Sequence, residues 1–157
     1  MNDYHLSKNF TVGELCRSQT AARLGRRVEP TDAQLFAMEY HCTQVLQPIR
    51  DLLGCAVIVT SGLRPEWLNK KIGGSDNSQH MTGNATDFVV RGDLRDAMIE
   101  IIQSDIPYDQ IIYEFDEWIH VSSSTEPRLE ILTAYSSGGM RPKTVYEKGL
   151  VDVRSSS

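Results

Sequence analysis

The sequence predicts an α+β domain with a largely antiparallel central sheet and flanking helices. Three observations carry that expectation. Short β-branched runs recur through the second half of the chain, two stretches place apolar residues at steps of three or four, and strands and helices follow no regular alternation. Regular alternation would have argued for a parallel α/β sheet instead.

The elements follow in order. From Thr31 the segment "TDAQLFAMEYHCTQVLQPIRDLLG" carries Leu35, Met38, Cys42, Val45, Ile49 and Leu52 on one stripe, with Thr31 and Gln34 spaced as a capping box and Gly54 at the stop. One long amphipathic helix is expected, kinked at Pro48. His41, one residue off the stripe, is expected to pack or to face solvent, and so is His5 in its polar segment. "CAVIVTSG" is short and β-branched, as a buried strand ending at Ser61-Gly62 would be. Residues 66–72 suit a short helix, "ATDFVV" a strand and "LRDAMIEIIQS" a second main helix. "DQIIYEF", "EWIHVSS" and "RLEILTAY" read as three further strands. "SSSTEP" at 122–127, "SSGGMRPK" at 136–143 and the terminal "SSS" read as loop and frayed tail.

Composition bounds the function. At 157 residues one domain is expected over 1–157, with its core at about 8–135 and residues 136–157 as loop and tail. A net charge of -5 argues against nucleic-acid binding, which needs a concentrated basic surface. The cluster Arg23, Arg26, Arg27 is read as a solvated face. No charged-then-apolar leader and no run of about 18 apolar residues is visible, so a product made in the cytoplasm without a signal peptide or membrane span is expected. Cys16, Cys42 and Cys55 lack paired metal-binding spacing and are expected to be core or surface thiols.

The chemistry concentrates in "SQHMTGNATDFVV". Thr82, Gly83 and Asn84 are turn formers, so a turn leading into a strand would explain part of it. His80 and Asp87 also offer an imidazole nitrogen and a carboxylate oxygen, and a catalytic zinc takes three protein ligands and leaves one position open. His120 in "EWIHVSS" is the candidate third ligand: in a strand it can face a pocket while Ile119 and Val121 face the core. Glu114 and Glu117, six and three residues before His120, each offer a carboxylate for proton transfer. Arg64, in the loop after a strand, could hold a carboxylate or a developing oxyanion.

These residues carry a resemblance. "SQHMTGNATD" is similar at every fixed position to the S-x-H-x-x-G-x-A-x-D pattern of the zinc D-alanyl-D-alanine carboxypeptidase and L-alanyl-D-glutamate peptidase family. "SGLRP" and "WIHVS" resemble its other two signatures in the same order. The likeness spans roughly residues 8–135, and "NFTVGELCRSQTA" resembles the small peptidases encoded by phages and prophages. The resemblance implies the fold shared with the hedgehog signalling domain, Zn2+ as cofactor on His80, Asp87 and His120, and Arg64 as the substrate or transition-state arginine. Ser78 and Trp118 are expected beside Arg64 as substrate-binding residues. The carboxypeptidase spacing puts the catalytic glutamate at Glu117 and the hedgehog-like spacing at Glu114. Both stay open here, with Glu114 preferred if Asp116 and Glu117 form a turn at a solvated tip.

The expected function is hydrolysis of peptide bonds in peptidoglycan stem peptides, as an L-alanyl-D-glutamate endopeptidase of endolysin type. It would act at the cell wall, with phage lysis or virion partners. A D-alanyl-D-alanine carboxypeptidase and a non-catalytic zinc-binding module are the alternatives.

Overall fold

The computed structural model describes residues 4–152. Strands β1 (His5–Ser7) and β2 (Phe10–Thr11) form a small antiparallel hairpin. Two short helices follow, α1 (Val12–Cys16) and α2 (Gln19–Arg23), their first turns capped by the Thr11 and Ser18 hydroxyls. Neither the hairpin nor these helices is legible in the sequence, because pieces this short show no period.

Helix α3 (Asp32–His41) opens with the expected capping box, in which Thr31 and Gln34 satisfy each other's backbone N–H. The expected single helix is interrupted: Cys42–Leu46 forms a π-helical turn before α4 (Gln47–Leu53), which ends at Gly54 with φ 63°. The reason lies in Pro48, which has no N–H to give, next to Gln47, whose N–H reaches back to the Cys42 carbonyl. The wide turn keeps Val45 and Ile49 on the core and changes the stripe only at its end. Leu46, Ile49 and Leu53 pack on the core, and Leu52, expected inside, is 42% exposed.

Strands β3 (Val57–Ser61), β4 (Ala85–Val90), β5 (Gln110–Glu114), β6 (Trp118–Ser122), β7 (Glu130–Ser136) and β8 (Thr144–Lys148) form one six-stranded sheet in the order β3-β4-β6-β5-β7-β8. Only the β5–β7 pair is parallel; the others are antiparallel. The fold is therefore α+β with a mixed, largely antiparallel sheet. Helix α5 (Glu66–Ile72) lies between β3 and β4, and α6 (Leu94–Ile102) between β4 and β5. β8 corrects the expectation of loop beyond residue 136. Its sequence "TVYEK" is mostly exposed and polar, so nothing but pairing with β7 marks it as a strand. The terminal "SSS" lies outside the described residues.

The strands alternate cleanly. Phe88, Ile111, Tyr113, Ile119 and Val121 turn to a core shared with Met38, Cys42, Val45, Ile49, Met98 and Ile101 from the helices. Their neighbours Asp87, Ile112, Glu114, Trp118 and His120 turn the other way and line a cleft. Cys42 is buried, Cys16 and Cys55 are partly so, and all three thiols are free. No helix among the described residues is long and apolar enough to cross a membrane.

Candidate metal centre

His80 sits in a 3-10 turn, Gln79–Met81, whose start is capped by Ser78: its hydroxyl accepts from the His80 N–H at 3.2 Å. The turn is tied to the loop after β3 twice. Arg64 donates its backbone N–H to the His80 carbonyl at 2.9 Å, and the His80 ring bonds through Nδ1 to the Gly62 carbonyl at 2.9 Å. Gly62 has to be glycine, since a Cβ there would stand 2.1 Å from the Leu15 carbonyl oxygen. On its other side the turn rests on α3, where Gln34 Nε2 donates to the Met81 carbonyl at 3.1 Å. Gly83, at φ 88°, closes the turn where a Cβ would meet Gln34 and Met38 at 2.9 Å.

Asp87 and His120 come from adjacent strands and are direct cross-strand partners in the β4–β6 register. Asp87 Oδ1 lies 2.9 Å from His120 Nδ1 and 3.2 Å from His80 Nε2. One ligand atom from each residue falls within 4.8 Å of the others. Donors on bonds of about 2.1 Å at a tetrahedral angle stand about 3.4 Å apart, so the set fits one small metal ion.

The tautomer of His80 supports the same fit. A carbonyl only accepts, so the bond to Gly62 places hydrogen on Nδ1 and turns Nε2, the nitrogen a metal would take, towards Asp87 Oδ1. Burial pushes the Asp87 carboxyl up, but the hydrogen bonds and charges of His120 and His80 outweigh it and hold the group well below the usual carboxylate range.

Behind this group lies His41, fully buried, its Nδ1 3.0 Å from Ser123 Oγ and its Nε2 3.0 Å from Thr86 Oγ1. It packs under β4 and β6 and does not join the metal group. His5 is exposed, with Nδ1 3.3 Å from the Ser7 carbonyl.

The two glutamates part company. Glu114 is the last residue of β5, pairs with Trp118 and lines the cleft with His80, Asp87 and His120. Phe115 and Asp116 then take positive φ of 56° and 59°, a tight primed-type turn that leaves Glu117 exposed and outside the cleft lining. Burial, helped by the negative charge of Asp87, pushes the Glu114 carboxyl from 4.5 up to about 7, against the pull of His120, Trp118 and Arg64. The Trp118 indole stands beside Glu114 with its Nε1 buried.

Arg64 reaches the cleft wall, where NH2 donates to Ser78 Oγ at 3.3 Å and the buried Nε has no partner. Burial lowers its pKa, while Asp87 and Glu114 pull it back up. Trp118 and Ser78 line the same cleft of about 570 Å3.

Several lining residues went unread in the sequence, Gln110, Ile112, Arg128 and Tyr146 among them. Gln110 and Ile112 precede Glu114 at steps of two and follow from strand alternation alone. Arg128 and Tyr146 carry no sequence signal. Arg128 is brought in by two bonds to Asp109, Nε at 3.0 Å and NH2 at 2.9 Å, while Gln79 bonds the same carboxylate at 3.2 Å. Tyr146 arrives on β8.

No curated protein matches the chain. The family described as Peptidase M15 matches residues 8–122, a span that holds His80, Asp87, Glu114 and His120 together. With most of its length matched and a His-Asp-His group suited to a metal ion where a 3-10 turn meets two central strands, the chain belongs to the Peptidase M15 family of metallopeptidases.

Proposed function

We propose that the chain is a zinc-dependent peptidase of bacterial cell-wall peptides that cuts between L-alanine and D-glutamate. The observation that carries this is Glu114: a carboxyl pushed up to about 7 lines the same cleft as the His80-Asp87-His120 group. A general base works best with a pKa near the working pH.

Zinc, when bound, supplies a Lewis acid and an acidified water. The chain supplies the rest. His80, Asp87 and His120 hold the ion, with His80 oriented by Gly62. Glu114 takes a proton on its carboxylate as the peptide carbonyl is attacked and returns it to the departing amine nitrogen. Arg64, steadied by Ser78, offers unpaired N–H groups to the developing oxyanion or to a carboxylate beside the scissile bond. The side carboxylate of D-glutamate is such a group. The likeness of "NFTVGELCRSQTA" to small phage peptidases supports a role in wall lysis.

Digestion of purified peptidoglycan, with the released ends identified by mass spectrometry, tests the reading. New amino termini on D-glutamate are expected, together with falling turbidity of the wall suspension. Free D-alanine with no loss of turbidity would replace the endopeptidase with a carboxypeptidase, and intact walls in the presence of zinc would leave a binding module.

A further inference from the structure

The cleft extends past the last residue of the family match. In the strand register, Trp118 pairs with Glu114, Glu114 with Ala134, and Ala134 with Tyr146, so these four stand at one level across β6, β5, β7 and β8. Adjacent strands lie about 4.8 Å apart, which puts Tyr146 two strand spacings from Glu114 with only the Ala134 methyl between them. A tyrosine can arch over so small a neighbour. Its ring lines the cleft yet stays 57% exposed, and among the described residues no hydrogen bond holds its hydroxyl. The core does not need it, since β8 is exposed along most of its length.

Arg64 follows β3, at the opposite edge of the sheet from β8. A substrate held by Arg64 on one side of the metal group therefore points its other side towards Trp118 and Tyr146. On the proposed cleavage site, Arg64 takes the D-glutamate carboxylate and the L-alanine side runs towards β8. In peptidoglycan the amine of that L-alanine is acylated by the lactyl arm of muramic acid, so a sugar comes next.

Resting on that reading, we infer that Tyr146 and Trp118 form a saccharide subsite that receives the muramic-acid ring attached to the stem peptide. The aromatic face of Tyr146 suits the C–H face of a pyranose, and its hydroxyl suits the ring's polar rim. The Trp118 indole, on the same cleft, supplies a second aromatic wall. The cleft thus reads the junction between peptide and glycan.

The test compares two substrates of one peptide sequence, N-acetylmuramoyl-L-alanyl-D-glutamyl peptide and N-acetyl-L-alanyl-D-glutamyl peptide, with the zinc-loaded full chain. A preference for the muramoyl substrate of about tenfold in kcat/KM is expected, the scale of a stacked ring with one hydrogen bond. Tyr146→Ala should bring the ratio close to one, and Tyr146→Phe should keep most of it. Equal cleavage by the native chain, or an undiminished ratio in Tyr146→Ala, would overturn the subsite. Failure to cut either substrate would overturn the proposed bond itself and the subsite with it. Because the readout is a ratio within one variant, loss of folded protein does not move it.

Discussion

The Glu117 N–H bonds to the Glu114 carbonyl at 2.9 Å, and this bond closes the turn that separates the two carboxylates. Three residues apart in sequence, they end in different solvents: Glu114 at the floor of the cleft, Glu117 at an exposed tip. Glu114→Gln should therefore cost on the order of a hundredfold or more in turnover with metal content intact. Glu117→Gln should change it less than about threefold, as surface substitutions do. Steady-state kinetics of both variants check this, and the reverse ranking would move the base to Glu117.

The pH profile should follow from the same carboxyl. With Glu114 as the proposed base, which works ionised, kcat/KM should rise with pH on an acidic limb between 4.5 and about 7, a bound cation drawing it towards the lower end. The effect on folding has the opposite sign. A carboxyl whose folded pKa lies above its unfolded one stabilises fully while protonated, and that stability is lost as pH rises through about 7. Metal-free Glu114→Gln should thus melt higher than the native chain at pH 8 and near it at pH 4, by differential scanning calorimetry. A lower melting temperature at pH 8 would contradict the strained carboxylate.

His41 makes a prediction about stability alone. Burial, with smaller effects from His120 and His80, lowers its pKa from 6.5 to about 3, so it is neutral in the folded chain. The unfolded chain binds the extra proton between those values. Stability is complete above 6.5 and falls as pH drops towards about 3. His41→Ala removes the bonds to the Thr86 and Ser123 hydroxyls and opens a cavity, for a loss of about 2–4 kcal/mol in urea unfolding at pH 7.5. A loss under about 0.5 kcal/mol would mean that the buried bonds contribute little.

Much of this molecule is legible in its sequence. β4, α5 and the cores of β3, β5, β6 and β7 follow from runs of β-branched residues and helical spacing. The stretch around His80 and Asp87 marks their part of the site because an imidazole and a carboxylate stand seven residues apart on the two sides of a turn, in a pattern that resembles the family's. His120 was legible because its neighbours Ile119 and Val121 are apolar on both sides.

Tyr146 was not legible, since only the register of β7 against β8 brings an otherwise polar strand beside Glu114. Arg128 was hidden for a similar reason. Its position depends on Asp109, nineteen residues earlier, which no local pattern connects to it. The interruption at Cys42–Leu46 was half legible: Pro48 announced a break, but not that a wide turn would absorb it and move Leu52 to the surface.

The proposed ligand set predicts its own losses. His120→Ala and Asp87→Asn should each lose most of the bound metal, because two remaining ligands hold an ion weakly. Elemental analysis of the purified variants reads this directly, and a full complement in either would remove that residue from the site.

The most direct test of the whole account is a zinc titration of chelator-stripped protein, followed by hydrolysis of a stem peptide. The account predicts activity absent after stripping, rising in proportion to added zinc and levelling at about one ion per chain, as a single three-ligand site requires. Activity that survives stripping unchanged, or that never returns with zinc while the chain remains folded, would contradict it.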